Sequence, residues 1–332
     1  MPQSPSLAAG RARPVTDLYA ALSRQSEIAL VVLLIVLILF FSIATEHFGT
    51  LRNLTNVLGQ ASLMMIAGIG VAIVFMSGEV DISVGSLQAA VAIPLIVLMN
   101  ETGSLAIGLA GALCLGLIVG AINGYLSAYV GINSLIVTLG MLFILRGCVY
   151  LYTGKTAIPD DVYLDSFFAI GNERFLGVIP YPALIAFGLL ALFMYVMRYR
   201  PFGRKVYAVG GNAEVARLAG HNVRAIKFTC FIISGVLGTV SGILLASRLG
   251  SAVHLSGLGF EFQVVAAVVL GGVSLSGGVG SLFGVALGVL ILSYLSNGLG
   301  MLNLPTEWQL VITGSIIIVA VAFDELKRRR AG

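Results

Sequence analysis

Charged residues are scarce in this 332-residue chain: Asp, Glu, Lys and Arg together make up 10% of it. Soluble globular domains carry about 25% charge, so a chain of this length cannot cover a water-facing surface. Cysteine is rarer still. Cys114, Cys148 and Cys230 each lie in an apolar run, and no two share a metal-ligand spacing, so they read as small core residues. The chain has no HExxH and no GxSxG, and His47, His221 and His254 stand alone in predicted loops. Gly154-Lys155-Thr156 imitates the end of a phosphate-binding loop, but Val149 stands where that loop needs its first glycine. These absences argue against an enzyme and against a bound metal or cofactor. They also leave the chain without an energy source of its own, so it must use an ion gradient or borrow a partner's ATP hydrolysis.

What is abundant is apolar: 58% of residues are hydrophobic and the mean hydropathy is +1.02. The 41 glycines suit membrane helices that approach closely. A helix needs about 20 apolar residues to cross the hydrocarbon. Candidate spans are 28–45, 57–76, 83–99, 105–129, 134–152, 181–197, 228–247, 262–276, 281–300 and 308–323. The expected fold is therefore an all-α polytopic membrane protein of about ten transmembrane helices, with a transmembrane domain over 28–323. Thr45-Glu46-His47, not a small-residue cleavage site, follows the first run, so it reads as a retained helix behind a tail, 1–27.

Basic residues set the orientation. Arg11, Arg13 and Arg24 precede the first span, seven Lys or Arg fall in 198–227, and Lys327-Arg328-Arg329-Arg330 lie in the tail 324–332. Six crossings before 198 and four after 227 put all of them in the cytoplasm together with both termini. Segment 154–180, with Asp160, Asp161, Asp165 and Glu173, then lies outside. The net charge of +4 marks a membrane face and gives no reason to expect nucleic acid. Val84-Gly85-Ser86-Leu87 recurs as Val279-Gly280-Ser281-Leu282, and Gly116-x3-Gly120-x3-Gly124 echoes Gly280-x3-Gly284-x3-Gly288. This is the mark of an internal duplication, or of chance likeness between glycine-rich apolar segments.

Two polar segments interrupt the pattern. Met76 to Ser86 sets Glu79, Asp81 and Ser83 among glycines between two apolar runs. It reads either as a broken helix whose acids line a pathway or as a cytoplasmic turn in which Asp81 caps the next helix. In 198–227, Gly211-Asn212 can open a short helix over Ala213, Glu214, Arg217 and Leu218, with Gly220 placed to stop it. That helix reads as a docking element for a cytoplasmic partner or as a connector on the membrane surface. Arg146 stands inside an apolar run, as a structural partner of carboxylates or carbonyls or as part of a path. Asn123, Asn133, Glu261, Gln263, Asn297 and Gln309 fall at or near span ends. Outside 76–86 no acid is expected at mid-span, which favours borrowed ATP over an ion-coupled carrier.

From about residue 50 to 325 the chain resembles the permease subunit of ribose-type ABC importers, which take up monosaccharides and related compounds. The resemblance is carried by Ser77-Gly78-Glu79-Val80-Asp81-Ile82-Ser83-Val84-Gly85-Ser86, Tyr207-Ala208-Val209-Gly210-Gly211-Asn212 and Ala216-Arg217-Leu218-Ala219-Gly220. It continues in the run from Ala266 to Gly278 and in Asn297-Gly298-Leu299. Glu79 departs from the family, which usually has a small or apolar residue there. The resemblance implies a homodimer or a heterodimer with a paralogue in the inner membrane. It implies a cytoplasmic ATPase with two nucleotide-binding cassettes, which binds the ATP, and a periplasmic sugar-binding protein. It also implies that 211–220 is the coupling helix. Glu79, Asp81, Ser83, Asn123, Arg146 and Asn297 are then candidates for the substrate path, and Arg52, Lys155, Arg174 and Arg248 for contact with the binding protein. Permeases for a furanosyl signal, a nucleoside or an amino acid, and an ion-coupled carrier, are the alternatives.

Overall fold

The computed structural model describes residues 15–154, 164–305, 307–309, 311, 312, 314, 315 and 318, with side chains from Glu27 onward. The start of the N-terminal tail, Lys155, much of the run 308–323 and the basic tail 324–332 lie outside the described residues. Twelve α-helices occur among the described residues: α1 (Val15–Ala44), α2 (Leu51–Met76), α3 (Val84–Thr102), α4 (Leu105–Tyr125), α5 (Ser134–Thr153), α6 (Asp165–Asn172), α7 (Tyr181–Tyr199), α8 (Pro201–Gly211), α9 (Ala213–Leu218), α10 (Val223–Leu249), α11 (Phe260–Leu270) and α12 (Leu282–Met301). A π-helical turn, Leu126–Val130, extends α4, and β1 (Arg174–Phe175) pairs antiparallel with β2 (Ile179–Pro180). Eight of the helices are long and apolar enough to cross a membrane.

Local chemistry sets the boundaries. Thr50, Asn133, Asn222 and Ser281 each precede a long helix and accept a hydrogen bond from a first-turn backbone N–H, satisfying donors that the helix itself cannot. Gly103, Gly154 and Gly250 end α3, α5 and α10 in the left-handed conformation. The expected span at 262–276 is not formed as one helix. α11 stops at Leu270, where Gly271-Gly272 turns the chain, with Gly272 at φ 83°. Eleven residues make a rod of about 16 Å, roughly half of the hydrocarbon thickness.

Helix α2 is the axis of the bundle. Its most apolar stretch is 89% buried, against 6% for α1, which packs chiefly on α12 and shows an apolar face outward. α2 packs against α7, α10, α11 and α12, and α10 packs against α2, α3 and α4. Glycine permits these approaches. A Cβ on Gly120 would lie 2.7 Å from the Phe231 carbonyl oxygen, and one on Gly70 would lie 2.8 Å from Ser234 Cα. The second glycine triplet does the same for α12, since a Cβ on Gly288 would lie 2.9 Å from the Gly271 nitrogen. Without a hydrophobic force between helices in lipid, close packing of this kind holds the bundle together.

The connections sort to two ends. At one end Arg174 of β1 donates to Thr55 and Asn56 of α2, and Asn172 donates to the Ser247 carbonyl near the end of α10. At the other end the α8–α9 segment meets the α2–α3 and α11–α12 connections, and Ser281 donates to Glu27 of α1. The basic stretch 198–227 begins at this second end. Replacing Gly120 by Leu would drive a side chain into the α10 backbone, at a cost of about 1–3 kcal/mol. The expected outcome is a lower melting temperature in detergent, read by thermal unfolding of the purified protein.

Candidate functional site: two broken helices and a polar cavity

Residues 77–83 interrupt the path between α2 and α3 inside the bundle. Backbone groups there must find protein partners, since lipid offers none. The Gly78 and Glu79 N–H groups return to the Phe75 and Val74 carbonyls, and the Val80 N–H donates to Ser134 Oγ. The Ser83 N–H donates to Asp81 Oδ1 at 3.0 Å. Asp81 is 2% exposed. Its carboxylate also accepts from Ser83 Oγ and from Ser234 Oγ, both at 2.7 Å. Asn123 Nδ2 donates to Ser83 Oγ at 3.0 Å. Asp81, Ser83 and Asn123 therefore form one buried network that joins the break to α4 and α10. Ser234 lies eleven residues into α10, about 16 Å along it, so this network sits deep in the bundle. Asp81 holds the turn before α3 without reaching a donor inside that helix. Charge-assisted bonds of this number keep a carboxylate tolerable in such surroundings.

Glu79 points elsewhere. Its Oε1 lies 2.5 Å from Lys227 Nζ, with both side chains largely buried. This acid is thus matched by a base on α10. Arg146 of α5, 8% exposed, donates to the carbonyls of His254 and Ser256 at 3.0 and 2.8 Å. It pins the loop between α10 and α11 against α5. Glu261, expected near a span end, lies in the first turn of α11 and is buried there against Gly85 at the start of α3. The loop folds back before α11 begins, which carries an acid into the interior that no window over apolar runs could locate.

A cavity of about 600 Å³ lies between α2, α3, α10, α11 and α12. Its polar lining is Gln60, Gln88, Arg248, Gln263, Ser293, Ser296 and Asn297, set among Leu63, Met64, Leu245 and Phe260. Among the described residues, no Asp or Glu lines it. Gln88 Nε2 is held by Ser241 Oγ at 2.6 Å and Asn297 Oδ1 by Asn53 Nδ2 at 2.9 Å. Gln60, Gln263, Ser293 and Arg248 hydrogen-bond no described side chain, which leaves their donors and acceptors for a guest. Of the sequence candidates, the structure brings Asn297 and Arg248 together here. Arg174 lies nearby at the same end, Arg52 is exposed at the start of α2, and Lys155 lies outside the described residues. Gln263 was noted only for its place near a span end, and the remaining lining residues were missed. The signal for them was helical spacing: Ser293, Ser296 and Asn297 fall at i, i+3 and i+4 on one face of an otherwise apolar helix.

At the opposite end, Asn212 caps α9 by accepting from the Val215 N–H, and Gly220 follows at φ 84°. Glu214 and Arg217 pair at 2.6 Å on its outer face, and this pairing holds the Glu214 carboxyl below the usual carboxylate range. Val215 and Leu218 are 59% and 77% exposed. Ala213 and Gly211 complete a short knob that projects from the bundle on α8, a helix the sequence reading did not separate.

A helical bundle with a polar cavity at one end, and two glycine-bearing helix breaks and an exposed helical knob at the other, is the organisation of a membrane permease. Residues 53–321 match the family described as branched-chain amino acid transport system / permease component, and the chain belongs to that family. It is 42% identical over 308 residues to the probable ABC transporter permease protein YphD of Escherichia coli K12, covering 92% of this chain and 91% of that one. It is 37% identical to the L-arabinose ABC transporter permease protein AraH of Azospirillum brasilense, over 98% and 95% of the two chains. It is 36% identical to the ribose import permease protein RbsC of E. coli K12, over 89% and 92%. The resemblance to ribose-type ABC permeases read from the motifs is borne out, and the chain is a multi-pass membrane permease of that kind.

The Glu79–Lys227 pair gives a double-mutant test. Glu79→Gln alone leaves Lys227 buried without its counter-charge and should destabilise more than Glu79→Gln with Lys227→Met. A coupling energy of about 1 kcal/mol or more is expected from thermal unfolding in detergent.

Proposed function

We propose that this chain is the membrane-spanning subunit of an ABC importer that carries a monosaccharide or related polyol across the bacterial inner membrane. The observation that carries the solute class is the cavity. Amides, hydroxyls and one guanidinium, with no carboxylate, offer the mixed donors and acceptors that a neutral polyhydroxy compound needs, while the leucines and Phe260 take its apolar faces. Relatives named for ribose and arabinose agree with this reading. The basic end is the cytoplasmic one, so the cavity opens to the periplasm. Eight full helices, α11 with its glycine-rich continuation, and the run 308–323 make ten crossings with both termini cytoplasmic.

In this reading α9, with 211–220, seats on a cytoplasmic ATPase that binds and hydrolyses the ATP, and this chain binds no cofactor itself. Two copies, or one with a paralogue, form the channel. A periplasmic sugar-binding protein delivers solute to the end that carries Arg52, Arg174 and Arg248. Docked binding protein and ATP bias the permease between states only through their different affinities for each.

The deciding experiment measures ATPase activity of this subunit co-reconstituted with its neighbouring ATPase and binding protein, against the variant Glu214→Ala/Arg217→Ala. Stimulation by binding protein loaded with ribose or arabinose, lost in the variant, is expected. An ATPase indifferent to this subunit, with transport driven by an ion gradient, overturns the reading. Stimulation only by a nucleoside or amino acid moves it to another solute. Separately, Gln263→Leu with Gln60→Leu should raise the solute concentration for half-maximal uptake by about tenfold, since each lost hydrogen bond is worth about 0.5–1.5 kcal/mol.

A further inference from the structure

The short helix α9 does not touch the cavity, so whatever happens at α9 must be carried inward by something. The end of α8 is placed to do it. Three chain segments meet there, chiefly through glycines. A Cβ on Gly210 would overlap the Met76 carbonyl oxygen and lie 2.6 Å from the Gly278 nitrogen. One on Gly277 would lie 2.7 Å from both Gly210 O and Gly78 Cα, and one on Gly278 would lie 2.6 Å from Gly211 Cα. Backbone thus rests on backbone among the α8–α9 junction, the α2–α3 break and the α11–α12 break. Two hydrogen bonds tie the same segments. The Gly278 N–H donates to the Met76 carbonyl at 3.0 Å, and Tyr207 Oη on α8 donates to the Gly280 carbonyl at 3.0 Å.

We propose that this glycine contact is the transmission element of the permease, which passes movement of α9 to both helix breaks at once. Rotatable side chains between two elements can absorb a displacement, whereas a direct backbone contact hands it on. The breaks have hinges to receive it, since Gly78, Gly272, Gly277 and Gly278 all sit at positive φ. The receiving helices are the right ones. α2, α3, α11 and α12, which flank the two breaks, supply most of the cavity wall. A shift of Gly210-Gly211 therefore bears on Gln60 and Gln88 through the first break and on Gln263 and Asn297 through the second. Gly210, Gly277, Gly278 and Tyr207 are positioning residues, since none of them lines the cavity.

The inference rests on α9 being the ATPase seat, and the test separates the two. Spin labels are placed at Gln60→Cys and Leu255→Cys, across the cavity, in a chain whose native cysteines are replaced, assembled with its ATPase. Their distance distribution is read with and without a non-hydrolysable ATP analogue, which needs no knowledge of the solute. In the parent, nucleotide should shift the distribution. In Gly210→Ala, and in Tyr207→Phe, which loses one hydrogen bond and adds no bulk, the shift in population should fall at least about 5-fold, the low end of typical coupling. If Gly210→Ala fails to assemble, Tyr207→Phe decides alone. An unchanged shift in the assembled variants, or none in the parent while the ATPase still depends on this subunit, overturns the proposal. An ATPase that ignores this subunit overturns the functional reading instead.

Discussion

A helix that stops within a membrane bundle leaves backbone donors and acceptors that need new partners, and this protein has two such stops at the basic end of its bundle, a largely buried one after α2 and a more exposed one after α11. Each is made tolerable by protein contacts. The α2–α3 break is held by Asp81, Ser134 and the last turn of α2. The α11–α12 break is held by its own serines and by the Met76 carbonyl. Because the second break draws a partner from the first, they are joined to each other at the basic end of the bundle. The burial of α2, the close approach of α10 and the ion pair from Glu79 to Lys227 all enclose these segments.

The same requirement explains what could be read without coordinates. α1, α5, α7 and α10 declare themselves because each is a single apolar run that satisfies its own backbone. The cap at Asn212 and the stop at Gly220 are local chemistry and were equally plain. α11 was not, because a hydropathy window averages across Gly271-Gly272 and joins a half-helix to the turn beyond it. For Asp81 the sequence offered a cap or a pathway, and a tertiary fact places it: Ser234, 153 residues away, comes to its second oxygen.

The cavity was the least legible part. Gln60, Gln88 and Gln263 are single amides in separate helices, and nothing along the chain says that α2, α3 and α11 bring them to one space. Only Ser293, Ser296 and Asn297 share an element, and their common face was the clue. The glycine-rich stretches were visible as motifs, but a motif does not say which segments its glycines let meet. Gly78, Gly210 and Gly277 are far apart in sequence and in backbone contact in space.

The separation of these two regions bears on how such a protein changes over time. At the glycine contact a single added methyl collides with main chain, so variation there has to be concerted across three segments and will be slow. The cavity wall is built from side-chain ends that face open space, and one amide can be exchanged for another without disturbing a helix. Under the roles proposed for the cavity and the glycine contact, a lineage can retarget the solute one residue at a time while inheriting the drive mechanism intact, and a protein engineer seeking a new cargo has the same freedom at the same positions.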